Sequence, residues 1–284
     1  MNRSQQDRSI ERSLQEYLRG IAGGVMFSLP LLYTMEVWWA GFTMHPLRLL
    51  LYVLATFTLL LGYNRYAGLR YDFTPLEVAV DSVEEMGIGM VISAVVLWLI
   101  GQITTEMPVT EVVGKIIIES MTVAIGVSVG TAQLGGGEGN DSETQESMPF
   151  LTEGSDLIGQ LAIATCGAVL FAANVAPTEE IILIATQSTA LKLVGMAILS
   201  MVFGSLILFY SDFSGSQSFS KSRGIKTIFG GAIVTYAIAL VVSATILWIF
   251  GRFDHTGAIV CLSETVVLGL SANLGASAGR LLLQ

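Results

Sequence analysis

Eight apolar stretches, each long enough to cross a lipid bilayer, constrain this chain more than any other feature of its sequence. A membrane-spanning helix needs about 20 mostly apolar residues. The stretches run over residues 20–42, 46–63, 76–103, 110–132, 157–186, 189–210, 226–251 and 257–281. Only 13% of the 284 residues are charged, about half the usual share in a soluble domain. The sequence therefore predicts an all-α, polytopic membrane protein with eight transmembrane helices.

Two polar segments complete the predicted organisation. Residues 1–19 are rich in Arg and Glu, and we expect an amphipathic helix over about 4–18 at the membrane surface. The segment 133–156 contains several acids and no Lys or Arg, which is typical of a flexible, solvated linker. The net charge of −9 does not favour nucleic acid as a partner, because nucleic-acid-binding proteins present a basic face.

Basic residues near the ends of the predicted helices indicate the orientation. They collect in the N-terminal segment, in the loop after the second helix and in the loop after the sixth, for example at Arg12, Arg65 and Lys221, whereas the loop after the third helix has none. Because Lys and Arg favour the inner side of a membrane, we expect eight crossings with both termini on the cytoplasmic side.

The two halves of the chain resemble each other. The aligned pairs are VISAVVLWLIGQI (91–103) with VVSATILWIFGRF (241–253), GVSVG (126–130) with GASAG (275–279), and VMFSLPLLYTMEV (25–37) with VLFAANVAPTEEI (169–181). We therefore expect two tandem four-helix repeats, over 20–132 and 157–284. Since four is an even number, both repeats enter the membrane from the same side. This predicts a parallel pair related by a pseudo-two-fold axis along the membrane normal, unlike the inverted repeats of many transporters.

Carboxylates inside apolar stretches need a reason, because each costs about 2.5–3.5 kcal/mol at the bilayer centre. The repeat aligns four polar residues, Thr34 with Thr178 and Glu36 with Glu180, and Glu179 adjoins the last of these. Pro30 and Pro177 break the helix nearby and leave backbone carbonyls without a donor. Carbonyls, hydroxyls and carboxylates together form an oxygen-rich candidate cation site, in which Glu36 and Glu180 are candidate metal ligands. Alternatively, these glutamates reach the outer interface and are hydrated.

A second polar group lies near the predicted midplane. Lys115 and Glu119 are four residues apart and therefore share a helix face. In the second repeat, Glu264 takes the place of Lys115, or of Glu119 if a larger gap is allowed. We expect opposite charges on the two fourth helices to pair, either as a central relay or gate for a cation or as a structural ion pair.

A third group, Glu84 and Glu85, lies towards the predicted inner side of the third helix. The second repeat has no acid at the matching places. One-sided acids suit an inner vestibule that attracts cations. They equally suit a helix that begins later than drawn, in which case they are near-surface residues.

Two GxSxG strings, around Ser128 and Ser277, can mark the nucleophile of a hydrolase. A hydrolase needs a histidine in reach, and His45 and His255 both fall in predicted outer loops. We expect these small residues to let two helices approach closely instead, and the sequence predicts no enzyme. It shows no phosphate-binding loop, zinc-spaced Cys and His, haem motif or flavin motif, so no cofactor is expected.

Two resemblances bear on function. The segment AANVAPTEEIILIATQST (172–189) resembles the α-repeat of cation/calcium exchangers, which implies a cation site at Glu179 and Glu180. Those exchangers have inverted repeats, however, and the first half here lacks the matching proline. Taken whole, the chain, with LPLLYTMEVWW at 29–39, resembles a family of bacterial predicted integral membrane proteins with no assigned function. This implies location in a bacterial plasma (inner) membrane.

These features favour a cation-translocating membrane protein, either a proton- or sodium-linked secondary transporter or a channel, with H⁺, Na⁺, K⁺ or Ca²⁺ as cargo. The expected outer, central and inner positions are Glu36 with Glu180, then Lys115 with Glu119 and Glu264, then Glu84 with Glu85. The alternative is a membrane sensor or assembly partner whose buried charges are structural. A homo-oligomer is compatible with the small-residue faces of the fourth and eighth helices, which serve either within one chain or between two.

Overall fold

The computed structural model of the protein describes residues 3–67, 74–133, 153–215 and 225–282, and every regular element in these ranges is an α-helix. The helices in these ranges are α1 (Arg3–Leu32), α2 (Met35–Thr43), α3 (Pro46–Ala67), α4 (Pro75–Leu99), α5 (Val109–Gln133), α6 (Glu153–Val175), α7 (Glu179–Gln187), α8 (Ala190–Gly215), α9 (Ile225–Ile249) and α10 (Ala258–Leu282). The prediction of an all-α protein is confirmed.

Seven of the described helices are long and apolar enough to cross a membrane: α3, α4, α5, α6, α8, α9 and α10. Residues 17–32 and 35–43 make an eighth if the pair is counted as one span, but they meet at an angle of 86°. The first predicted span, 20–42, is therefore broken. Pro30 lies inside the last turn of α1, and the Thr34 amide donates to the Leu31 carbonyl at 2.8 Å, which closes the turn before α2 begins.

Three predicted boundaries need correction. The amphipathic N-terminal helix is not separate, because α1 runs without interruption from Arg3 to Leu32. The predicted span 157–186 is split into α6 and α7 at Ala176–Thr178, where Pro177 has no amide donor. The predicted linker 133–156 lies mostly outside the described residues, but α6 already begins at Glu153.

The helices form two series, α1 to α5 and α6 to α10, with similar dimensions. After the first member of each series, the helices have 9, 22, 25 and 25 residues in one series and 9, 26, 25 and 25 in the other. α4 and α9 end in the same way, at Gly101 and Gly251, each with φ of +75°. Glycine is the residue that adopts this left-handed conformation without strain.

Glycines bring the first helix of each series into backbone contact with the last. A Cβ atom on Gly23 of α1 would lie 2.4 Å from the Gly130 Cα of α5, and one on Gly167 of α6 would lie 2.2 Å from the Gly275 carbonyl oxygen of α10. No side chain fits such gaps, so the helices pack through small residues. The glycines of the two GxSxG strings therefore serve helix packing.

The largest contact between the two series is made by α3, which packs against α6 and also touches α9, while α1 and α5 make smaller contacts with α6. Buried side chains at this contact include Leu60 and Tyr63 of α3 and Cys166 and Leu170 of α6. A two-fold axis would make the contact reciprocal, with α8 against α1. The described residues show no comparable contact between α8 and α1. The series therefore meet head to tail, and the predicted pseudo-two-fold axis is not supported.

Large apolar side chains cover the outside of the bundle, as expected of a surface that faces lipid. α8 is the most exposed of the candidate spans, and its Leu191 is 82% exposed. We call the end of the bundle that carries the turns 33–34, 100–108 and 250–257 the outer end, and the opposite end the inner end, in keeping with the predicted orientation.

Candidate functional site

A stripe of polar residues runs along α5, the most deeply buried of the candidate spans. Its members are Glu111, Lys115, Glu119 and Thr122, whose spacing of three or four residues places them on one helix face. α5 packs against α1, α2, α3 and α4. The stripe therefore faces protein and not lipid.

Glu119 is the most unusual member of this stripe. Its side chain has no exposed surface, and neither carboxylate oxygen has a hydrogen-bond partner. The hydroxyl of Tyr52, on α3, lies near Glu119 and Thr122. An ionised carboxylate buried without a partner is among the most unfavourable arrangements in a protein interior.

Lys115 does not pair with Glu264, contrary to one of the expectations from the sequence, and it does not pair with Glu119 either. Its Nζ lies 2.7 Å from Oε1 of Glu111, donates to the Gln102 carbonyl at 3.2 Å and sits 5.5 Å from the ring centroid of Phe42. The ammonium group is thus directed towards the outer end, one turn away from Glu119. Lys115 and Glu111 form a local ion pair at the outer end of the polar stripe on α5.

Glu264 is the second buried carboxylate without a partner. It has no exposed surface, and neither of its oxygens is hydrogen-bonded. It lies one and a half turns into α10, closer to the outer end than Glu119. Arg252 is the basic residue that faces it, but the guanidinium of Arg252 donates to the carbonyl of Pro177.

The helix registers favour one of the two alignments left open by the sequence. α5 begins at Val109 and α10 at Ala258, so Glu264 matches Lys115 in position along the helix. Glu119 then matches Leu268, which is fully buried. Glu119 and Glu264 are therefore separate sites at different depths, and no hydrogen bond or ion pair joins either of them to Lys115 in the described part of the chain.

The predicted outer acids lie at the starts of the two short helices. Glu36 is in the first turn of α2, and Glu179 and Glu180 are in the first turn of α7. Glu36 is half-buried, and both acids of α7 are exposed. A carboxylate in the first turn is favourable because it faces the positive end of the helix dipole. This placement agrees with the alternative of hydrated interfacial acids.

Both threonine hydroxyls of the predicted outer site donate hydrogen bonds to carbonyls of the preceding turn. The Thr34 hydroxyl donates to the Pro30 carbonyl at 2.7 Å, and the Thr178 hydroxyl donates to the Val175 carbonyl at 2.8 Å. The Pro177 carbonyl, left without a helical donor, accepts from Arg252. Within the described residues, no three His, Cys, Asp or Glu side chains come together, so a metal ion held by Glu36 or Glu180 would need carbonyl and hydroxyl ligands as well.

At the inner end, Glu85 belongs to a buried polar network that is centred on Asn64. The Asn64 Nδ2 atom donates to Glu85 Oε2 at 2.8 Å and to Ser82 Oγ at 3.1 Å. Ser128, the central residue of the first GxSxG string, donates to Asn64 Oδ1 at 2.7 Å. The network joins α3, α4 and α5. It satisfies each polar atom named here, as a network that fixes helix positions should.

Glu84, next to Glu85 in the sequence, points the other way. It is exposed and accepts a hydrogen bond from the hydroxyl of Tyr17 on α1. The two adjacent acids therefore differ in environment: Glu84 faces the surroundings at the inner end, and Glu85 faces the protein.

A cavity of about 610 Å³ opens at the outer end between α2, α3 and the turn after α9. Arg48 of α3 crosses it and donates to both carboxylate oxygens of Asp254, at 2.5 and 2.6 Å. Its guanidinium carbon also lies 5.4 Å from the ring centroid of Trp248. The hydrogen bonds from Arg48 hold the pKa of Asp254 below its usual value. This ion pair links the two series at the end opposite to the Asn64 network.

Three residues that shape these sites could not be recognised from the sequence. The partners of Arg252 and Asn64 lie far away in the sequence, so only the fold brings them together. Tyr52 lies in an apolar stretch of α3 and cannot be distinguished there from a core residue. The sequence contained a partial signal for Arg252. The aligned segments place this arginine opposite Gln102, directly after the matching glycines Gly101 and Gly251.

Comparison with protein families finds one matching family model, described as "Putative integral membrane protein (DUF2391)", which covers residues 16–283. The curated proteins and the solved structures contain no match to this chain. None of the comparisons shows the resemblance of residues 172–189 to cation/calcium exchangers.

Proposed function

Because this chain belongs to that family of integral membrane proteins, we propose that it moves a small cation across the bilayer, with Glu119 and Glu264 as the carboxylates that bind it. The observation that carries the proposal is the complete burial of both side chains without a hydrogen bond to any carboxylate oxygen. A proton or sodium ion is the cargo that a single such carboxylate best accommodates.

Both buried carboxylates need a positive charge to compensate for their own. A charge at the bilayer centre costs about 2.5–3.5 kcal/mol even on insertion scales, and burial without partners adds to this cost. The nearest basic groups do not compensate, because Lys115 bonds to Glu111 and Arg252 to the Pro177 carbonyl. With respect to the described residues, a bound proton or metal ion is then the remaining source of positive charge. A carboxylate that gains and loses such a cation is the basic element of a cation pathway.

The burial of Glu119 supports a secondary transporter over a channel. A channel needs a continuous wet path, whereas a transporter holds its cargo in an occluded site. Along α4 and α5, the exposed Glu84 marks the inner mouth, the Glu85 network follows, and Glu119 lies deeper. The residues 119 and 128 are about 13 Å apart along the axis of α5. The cation would thus pass from the inner network to Glu119 when the bundle opens.

The two series of helices are, on this proposal, copies of one unit inserted in the same orientation. The matched lengths, the paired glycines and the aligned segments support their common origin. Lys115 and Glu264 then hold equivalent places with opposite charges, so the two halves have diverged in function. We place both termini on the cytoplasmic side of a bacterial plasma membrane, on the basis of the basic residues near the helix ends.

The test is cation flux in vesicles that contain the purified protein. A pH-sensitive dye inside the vesicles reports proton movement after an inward gradient of Na⁺, K⁺ or Ca²⁺ is imposed. We expect wild-type protein to dissipate the pH difference with at least one of these ions. Glu119→Gln removes the ionisable group with little change in shape, and we expect it to abolish the flux.

A matched control is Glu106→Gln, which neutralises an exposed acid in the turn between α4 and α5. It should leave the flux unchanged. Glu264→Gln shows whether the second half carries an essential site. Flux that survives both Glu119→Gln and Glu264→Gln would refute the proposal, and an absence of any cation flux in wild-type vesicles would favour a sensor or assembly partner instead.

A further inference from the structure

We propose that the exposed face of α8 binds a second copy of this chain, through α1 of that copy. The contact would repeat between chains the packing of α3 on α6 that joins the two halves within one chain. The inference rests on the equivalence of the two halves and is independent of cation movement.

The contact within the chain has a defined footprint. A Cβ atom on Gly62 of α3 would lie 3.6 Å from the Cβ of Ala162 on α6, and one on Gly159 of α6 would lie 3.2 Å from the Cβ of Tyr66. Further towards the outer end, Leu170 of α6 is only 3% exposed because α3 and α5 cover it. One face of α3 and one face of α6 are thereby removed from lipid.

The equivalent faces in the other half are open. The alignment of residues 25–37 with 169–181 pairs α1 with α6 at a shift of 144 residues, and the starts of α3 and α8, Pro46 and Ala190, have the same shift. On α1, the counterparts of Ala162 and Leu170 are Leu18 and Met26, which are 57% and 59% exposed. On α8, the counterpart of Gly62 is Leu206, which is 47% exposed.

In a head-to-tail contact, the α1 face of the first series and the α8 face of the second series have no partner within the chain. Such heterologous contacts continue until they close into a ring or run on as an open filament. In a membrane, with all copies in the same orientation, two chains are the smallest ring. The unused α8 face of each chain would then meet the unused α1 face of the other, and no such face would remain exposed to lipid.

The side chains at the open faces indicate how close the helices can come. Leu18 and Leu206 are larger than Ala162 and Gly62, so α8 and α1 of the second copy must pack further apart than α3 and α6. Because lipid tails are as apolar as leucine, this contact depends on van der Waals packing. A weaker contact between chains than within the chain is the consequence.

Site-directed crosslinking in native membranes tests the proposal. The two native cysteines, Cys166 and Cys261, are first replaced by alanine. One chain then carries Leu18→Cys and a second, co-expressed chain carries Leu206→Cys, and a short bismaleimide reagent is added. We expect a product of twice the 30.4 kDa mass of one chain in the mixture, and none from either variant alone, because a head-to-tail contact places unlike residues together.

Ile233→Cys provides the control, since Ile233 is 57% exposed on α9, outside both proposed faces. Co-expressed with Leu18→Cys, it should give no product. Light scattering of the unmodified protein in detergent supplies a second measurement and should give a mass of at least two chains. The proposal is overturned if the mixture of Leu18→Cys and Leu206→Cys gives no more product than this control, which would mean that lipid covers both faces.

Discussion

Glu119 gives the sharpest test of the link between structure and function, because its replacement should stabilise the protein while inactivating it. The carboxylate is fully buried and makes no hydrogen bond, and its helix neighbours Ile118 and Met121 belong to a buried apolar cluster. Glu119→Leu exchanges the acid for an apolar side chain of similar volume. If the glutamate stabilised the native packing, its replacement would lower the free energy of unfolding instead.

The magnitude follows from the unmet hydrogen bonds. A buried polar group without a partner costs about 1–3 kcal/mol, and leucine removes that cost while it keeps most of the packing. We therefore expect the free energy of unfolding of Glu119→Leu to rise by about 1–3 kcal/mol, which corresponds to an increase of a few degrees in Tm. Cation flux in vesicles should be lost in the same variant.

The assay is thermal unfolding in detergent, followed by tryptophan fluorescence, next to the vesicle flux measurement. Glu119→Gln keeps a polar group in the same place and should not stabilise the protein, although it should also lose flux. Glu106→Leu, at an exposed position, should change neither quantity. A clear decrease in Tm for Glu119→Leu would refute the reasoning, because it would show that the carboxylate makes stabilising bonds in the native protein.

Three further predictions follow from contacts elsewhere in the bundle. A methyl group at Gly114 would lie 2.1 Å from a backbone oxygen of α2, so Gly114→Ala should lower the free energy of unfolding by about 1–3 kcal/mol in thermal unfolding; an unchanged Tm would contradict the close approach. Ser128→Ala should cost about 1–3 kcal/mol because it removes a hydrogen bond from the Asn64 network, whereas Ser277→Ala should cost little because that hydroxyl makes none; equal losses would contradict the difference. The pKa of Asp254 is held below the unfolded value of 3.8 by Arg48, so its ion pair should stabilise the protein above pH 3.8 and lose this effect as the pH falls through the lower folded pKa. Asp254→Asn should thus lower Tm at pH 7 but leave Tm nearly unchanged at a pH below the folded pKa of Asp254. Equal effects at both pH values would contradict the ion pair between Arg48 and Asp254.

The helical architecture was predictable because lipid imposes a simple rule on the sequence. An apolar run of about 20 residues must form a helix to satisfy its backbone, and this rule located the candidate spans. The proline positions also indicated where the chain would break near residues 30 and 177. The bend of 86° between α1 and α2 was not predictable, because a proline removes a hydrogen bond without fixing the direction in which the chain continues.

The pairing of the buried charges was less predictable, for a geometric reason. Lys115 has an acid one turn before it and another one turn after it, and the spacing alone does not choose between Glu111 and Glu119. The fold decides, because the Gln102 carbonyl and the Phe42 ring lie on the side of Glu111. Likewise, the repeat showed that the halves are similar but could not show that they meet head to tail.

The polar stripe of α5 has a consequence for how the protein enters the membrane. Lys115 and Glu119 make this helix a weaker membrane segment by itself, since a charge near the centre adds about 2.5–3.5 kcal/mol to the cost of insertion. Only the short turn 100–108 separates α5 from α4. We expect the two helices to leave the translocon as a hairpin, so that α5 without α4 before it would fail to insert stably, as protease protection of nascent chains can measure.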